Sequence, residues 1–443
     1  MTQEIPAAPK FLLSLETGQR KITLALREMA NRIITIQSSE IRESNRFEPK
    51  LYLFQNILKR SREKYEYFIL DDIATAINRG QSPKPDTYKD KKTGKYVFIR
   101  TADVKKFQFN TETATYLSGS TFLTQKSNRV TTNDILMSVV GNYLGSTSVI
   151  PTSIENGVFN DNSARIRITD HRFSPYYVSA FFNSIFGQEL IQSLITRTGQ
   201  KILSAGNVKK LSVPLIEHKE LSKKYEAATL KGSEANELIL RAQNLLYSKI
   251  GVNFSSIMKE KFYSVMKNDF AQSDLWTPTY SYPQYVNTLN AILANWKMIK
   301  IGDFVDIIKG DEVGSESYIS YTNKRKSDVP FIRTSDIVNY EIDQYPDFYI
   351  AEETYEELNQ GFQDGDVLFT KDGKIGVVGM ITSSDKAIIS SGFSGLRLKA
   401  NAKDYGITSE YLFLVLSIKE IGLFASKEGV SLLLPFHIYV KSD

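Results

Sequence analysis

One phrase occurs twice in this chain: residues 95–104 read KYVFIRTADV and residues 328–337 read DVPFIRTSDI. A repeat at long spacing constrains a fold more than any single motif, because each copy must bury a core of its own or share one with its neighbour. Neighbouring features keep the same spacing. Pro49 in RFEPKLYLFQNIL aligns with Pro278 in LWTPTYSYPQYVNTLNAIL, and Gly141 closing NDILMSVVG aligns with Gly373 closing GDVLFTKDG. Arg167 in ARIRI aligns with Arg397 in SGLRLK, and Gly199 in RTGQK with Gly429 in KEGVS. Five ordered pairs, each about 230 residues apart, describe a duplicated module of about 165 residues. A chain of 443 residues has room for two such modules.

Each copy reads in the same order. A short helix at 51–60 or 284–293 leads to an alternating strand that enters a loop, YFILDDIATAINRGQSP or KMIKIGDFVDIIKGDE. A basic loop, the FIRT strand and the pair DILMSVVG and ARIRI follow. Then come a helix (PYYVSAFFNSIFGQELIQSLI; SEYLFLVLSIKEIGLFAS), a Gly turn and a last strand. Many short strands interleaved with helices define an α+β module.

Between the copies the period changes. Leu221, Tyr225, Ala228, Gly232, Ala235, Ile239, Ala242 and Leu246 alternate spacings of four and three, the seam of a coiled coil, and Gly251 stops the helix. Ile22, Leu26, Met29, Ile33 and Ile36 repeat that spacing near the N-terminus, where an amphipathic helix packed on its own domain would look the same. The expected organisation is an N-terminal helical segment at 1–45, a first module at 46–216, a central spacer helix at 217–251, a linker at 252–274 and a second module at 275–443. The fold class is α+β, with two similar modules separated by long antiparallel coiled-coil-like helices.

The chemistry of catalysis is absent from the sequence. There is no Cys, and His171, His218 and His437 are far apart, so neither disulfides nor a metal site is expected. Neither a G-x-x-x-x-G-K-[ST] loop nor G-x-G-x-x-G occurs; GNYLG and DGKIG are Gly turns of other spacing. An Asn- or Asp-Pro-Pro-aromatic tetrapeptide and a nucleophile elbow are also missing, and PDTYKDK lacks the acidic pair of a nuclease. No apolar run reaches the roughly 18 residues of a membrane span, and no secretory signal precedes the first module, so a cytoplasmic protein is expected. The net charge of +5 is too small to argue for a polyanion alone, but it is concentrated in two loops, SPKPDTYKDKKTGKY and SYTNKRKSD, each just before a FIRT strand. Two modules without reacting groups point to reading or scaffolding.

The order FIRT-x-D-[VI], then [GN]-D-[IV]-L ending in Gly, then a Gly turn after a helix, twice over with a long helix between, resembles the specificity subunit of type I restriction-modification systems. The resemblance spans nearly the whole chain. It implies two target-recognition domains, each reading half of a bipartite site on double-stranded DNA, held apart by antiparallel helices. Two methyltransferase (modification) subunits carrying S-adenosylmethionine would dock on those helices, with restriction subunits as optional further partners. Catalysis would belong to the partners, leaving this chain a non-enzyme without cofactor. One departure is plain: a helix precedes each module instead of following it, which is expected to reflect a circular permutation pairing the N-terminal helix with the central one, or a truncation lacking the last helix. RFEPKLY also resembles the start of recognition domains in single-chain methyltransferases, which keeps a type IIG-like or phage-exclusion relative open beside a protein-binding scaffold.

Candidate DNA contacts follow from charge and loop position. They are Lys84, Lys89, Lys91, Lys92 and Lys95 in the first basic loop and Lys324, Arg325 and Lys326 in the second. Asn142, Tyr143, Lys371 and Lys374 sit at Gly turns able to approach a duplex, and Arg197 and Lys201 flank Gly199. Arg100 and Arg333 lie in the shared phrase, so they are expected to be structural or phosphate-directed, since two modules should read different bases.

Overall fold

The computed structural model describes residues 21–25, 33–37, 49–89, 94–112, 114–154, 156–195, 201–251, 297–373, 376–418 and 437–440, with 263, 264, 283, 287, 290, 291 and 294 as isolated positions. Within them the two halves share a strand order. In the first, a four-stranded sheet runs Val158–Phe159, Tyr96–Ile99, Thr115–Leu117, Tyr88–Lys89; in the second, Ile388–Ile389, Val329–Ile332, Phe348–Ile350, Ile319–Ser320. Each has its one parallel pair at the same place, Phe98 opposite Val158 and Phe331 opposite Ile388. A second, antiparallel sheet orders Asn78–Arg79, Ser163–Ile166, Ile135–Ser138, Thr147–Val149 in one half and Val305–Lys309, Phe393–Leu398, Val367–Thr370, Val378–Met380 in the other. A two-stranded ribbon closes each half: Tyr67–Ile69 with Ser212–Pro214, and Lys297–Lys300 with His437–Val440.

The FIRT phrase supplies the core. Phe98, Ile99, Phe331 and Ile332 are at most 2% exposed, so both copies of this strand are internal. Helices cover the second sheet of each half, burying Phe182 and Ile191 on one side and Leu412 and Val415 on the other. The expected long helix of the first half is two, Pro175–Asn183 and Ile185–Ser193. Ser184 takes an extended conformation and its Oγ accepts from Gly187 N, capping the second helix, and a Cβ at 187 would collide with the Phe181 carbonyl.

The central helix, Lys219–Ile250, matches the expectation in extent. Its 32 residues, rich in Ala, Leu, Glu and Lys, carry the pairs Glu220–Lys224 and Glu237–Arg241, and Gly251 ends it at φ +71°. The packed face coincides with the expected seam only in part. Tyr225 is buried and Ala235, Ile239, Ala242 and Leu246 are half-buried, whereas Leu221, Ala228 and Gly232 of the seam are exposed and Ser222 and Ile250, outside it, are buried. The helix therefore leans on its own chain, with Tyr225 in the first core and Ile250 in the second.

Two expectations need correction. Residues 21–25 and 33–37 are strands, not a helix, paired antiparallel with Ile22 opposite Ile36 and Leu24 opposite Ile34. KITLA and IITIQ are rich in β-branched residues, and Ile22 with Leu24 and Ile34 with Ile36 keep a period of two, so Ile22 and Ile36 serve that period as readily as the heptad. The N-terminal partner helix invoked for a permutation is thus not found there; Leu26 and Met29 lie outside the described residues. Nor are the modules held apart: Thr111 and Asn339, Lys106 and Tyr345, and Asn183 and Tyr321 are hydrogen-bonded across them.

Candidate nucleic-acid interface

The shared phrase builds a clasp. Arg100 donates from its backbone N and Nε to Asp103 Oδ2, at 2.9 and 3.0 Å, and Arg333 repeats this with Asp336 at 3.0 and 3.1 Å. Both Asp are buried, 3% and 1% exposed, so each needs its cation. A second clasp also recurs: Arg167 grips Asp134 at 2.7 Å and Arg397 grips Asp366 at 2.6 Å. The residue before each of these Asp has positive φ, Asn133 at +71° and Gly365 at +85°, which explains why Asn and Gly alternate at that position. The geometry thus gives Arg100 and Arg333 a structural task. Burial lowers the pKa of Arg333, but Asp336 and Asp347 outweigh it and the net shift is upward.

The basic loops occupy equivalent places, between an edge strand and the buried FIRT strand. In the first, Lys84, Lys89 and Lys95 are exposed, around a 3-10 turn at Pro85–Thr87. Lys95 Nζ lies 5.6 Å from the centroid of Tyr96, which stacks on Phe122 at 3.7 Å. Lys91 and Lys92 lie outside the described residues. In the second, Lys326 is exposed and Lys324 Nζ sits 4.5 Å from the Tyr349 centroid. Arg325 is held by the buried Asp328 at 2.9 Å and by Glu353 at 3.4 Å.

The Gly turns behave less alike. Gly141 and Gly145 have φ of +92° and +91° and lift Asn142 into solvent. Tyr143 turns inward instead, its ring 3.5 Å from Lys105 Nζ. In the second half Gly373 and Gly376 take φ of +64° and +84°, Lys371 is half-buried, and Lys374 lies outside the described residues. Lys201 is exposed, and Arg197 lies outside the described residues.

The sequence reading missed Lys105 and Lys106, which are 3% and 6% exposed. Lys105 Nζ donates to Ser335 O at 3.3 Å, and Lys106 Nζ donates to Tyr345 O and lies 3.7 Å from Asp347. Burial lowers the Lys106 pKa, with Asp347 opposing. The available signal was asymmetry: Lys-Lys follows FIRTADV where Val-Asn follows FIRTSDI. Among the described residues no group of three or more His, Cys, Asp or Glu could hold a metal, and no helix is long and apolar enough to cross a membrane.

Comparison with known proteins adds the deciding observation. Residues 294–430 match the family model of the type I restriction modification DNA specificity domain. The second module is thus similar to a type I specificity domain over about a third of the chain. The resemblance carried by the repeated phrases is thereby borne out. None of the curated proteins matches. Similar solved structures include the HsdS subunit from Thermoanaerobacter tengcongensis, 13% identical over 84% of each chain with a TM-score of 0.26. The type I S subunit from M. genitalium is 14% identical over 85% of each chain, with a TM-score of 0.27. At such values the family match, and not the superposition, identifies the specificity module.

Proposed function

We propose that this specificity chain is the DNA-recognition subunit of a type I restriction-modification complex. Each module reads one half of a bipartite duplex target, and the chain arose by duplication of one module. The observation that carries this reading is the family match on the second module, joined to the same strand order and the same two Arg–Asp clasps in the first. The exposed lysines before each FIRT strand are the phosphate contacts, and Asn142 and the second module's Gly turn are the nearest candidates for base edges. Two methyltransferase subunits bring S-adenosylmethionine and the chemistry. The solvent face of the central helix, with Leu230, Leu238 and Leu245 more than half exposed, offers them apolar surface.

Duplex binding over a salt series tests the first claim, since phosphate contacts make log affinity fall steeply with log salt. A flat series would leave a protein scaffold. Methylome sequencing of a host expressing this chain with its neighbouring methyltransferase should show one bipartite motif that disappears when the chain is deleted.

A further inference from the structure

After each FIRT clasp the chain doubles back in a tight turn, and the two turns interlock. In the first module Val104 bridges Phe109, and Asn110 N donates to Asp103 O at 2.8 Å. In the second, Ile337–Val338 pairs with Glu341–Ile342, and Asp343 N donates to Asp336 O at 2.8 Å. The tips match as well: Phe107 and Tyr340 have φ of +69° and +70°, conformations that cost a non-glycine residue roughly 1 kcal/mol or more and persist where surrounding contacts hold them.

Some of those contacts lie within each module, Phe107 N donating to Thr147 O at 3.0 Å and the Tyr340 ring lying 5.6 Å from that of Phe413, and the rest come from the other module. Asn339 Oδ1 accepts from Thr111 N at 2.8 Å and Thr111 Oγ1 at 3.2 Å, while its Nδ2 donates to Phe109 O at 2.6 Å. In return Lys105 and Lys106 reach Ser335, Tyr345 and Asp347, and the Phe107 ring packs 4.6 Å from that of Tyr345. Each tip aromatic also touches the central helix, Phe107 at Tyr225 and Tyr340 at Gln243. Those two positions are about five helical turns apart and so share a face. The Lys106 ammonium finds Tyr345 O, Asp347 and the Tyr321 ring all on the second module, so a lone module would strip it of these partners, whereas Lys105 also lies over Tyr143 of its own module.

We infer that the turns at 104–111 and 337–347 are a dock that fixes the distance and orientation between the two modules, with Asn339, Lys105 and Lys106 as positioning residues for the spacing between DNA half-sites. The spacing claim rests on the DNA-reading assignment above; the dock does not. The chain has no Cys, so spin labels at Ser127→Cys and Glu357→Cys, on exposed sites of the two modules, report their separation without DNA. A narrow distance distribution is expected, broadening in Asn339→Ala and Lys106→Met, with Thr111→Ala as a milder variant that keeps the backbone bond. In cells with the partner methyltransferase, the same variants should methylate the parental half-sites at two or more spacer lengths where the parent uses one. A parent distribution as broad as the variants', or an unchanged narrow one in all three, overturns the dock. Broadened distances with a single retained spacer overturn the positioning role. If no methylated motif depends on this chain, the spacing claim falls with the DNA assignment, and the label distances alone decide the dock.

Discussion

In the first module the loop before the FIRT strand exposes Lys84, Lys89 and Lys95 to solvent, whereas its counterpart ties Arg325 to Asp328 and Glu353 and leans Lys324 on Tyr349. The strands beneath both loops have the same order, and their Arg–Asp clasps agree to within about 0.1 Å. The sheets and clasps of the two halves are therefore equivalent and their rims are not. That is the division expected when one scaffold must present two different surfaces, because a strained or unpaired core costs stability while an altered rim charge costs little.

The scaffold half of this comparison predicts the largest effects. Phe98→Ala and Phe331→Ala should each cost about 3 to 5 kcal/mol, since both rings are about 1% exposed in the same strand position. Urea denaturation followed by circular dichroism measures this, and a cost confined to one module would break the equivalence.

A titration distinguishes the copies next. Asp343 is pushed up to about 6, chiefly by burial and further by Asp336, while the Tyr345 N–H, Lys106 and Lys105 pull it down. Its counterpart in the first module is Asn110, which does not titrate. A raised folded-state pKa means that the group imposes no penalty below its unfolded value near 4, and that stability is lost as pH climbs through 6. The loss approaches about 3 kcal/mol above pH 7. Asp343→Asn should flatten the stability profile between pH 4 and 7, and an unaltered slope would show that this carboxyl is not the source.

Smaller and symmetrical effects are expected from the second clasp. Asp134→Ala and Asp366→Ala each strand an Arg that is about one-third exposed, so solvent softens the loss to roughly 2 kcal/mol in either module. Unequal losses would mean that the turns preceding the two Asp, with Asn133 and Gly365, are not equally tolerant.

The sequence made the α+β character and the central helix legible because both rest on local pattern: alternating apolar residues, Gly turns and a terminal Gly251. The interlocked turns were not legible. FIRTADVKKFQFN and FIRTSDIVNYEID differ at the residues that make the dock, and a contact between modules leaves no period in either. The heptad reading failed at the N-terminus for a related reason. Ile22 and Ile36 fit two periods at once, the heptad and the alternation with Leu24 and Ile34, and only pairing in space decides between them.

The rim predicts the smallest change in energy and the most specific one. Lys84→Ala, Lys89→Ala and Lys95→Ala together should leave stability within roughly 0.5 kcal/mol of the parent, because all three side chains are exposed. If they neutralise phosphates, the slope of log affinity against log salt should fall by about one for each lysine, so by about three, and affinity should drop by a similar factor on every sequence. Lys326→Ala should lower the slope by about one. Arg325→Ala should lower it less, since its guanidinium is already shared between Asp328 and Glu353 and would release few counterions from DNA. An Arg325 effect as large as that of Lys326 would show that DNA draws the guanidinium off its carboxylates, and the two loops would then differ only in the unbound chain.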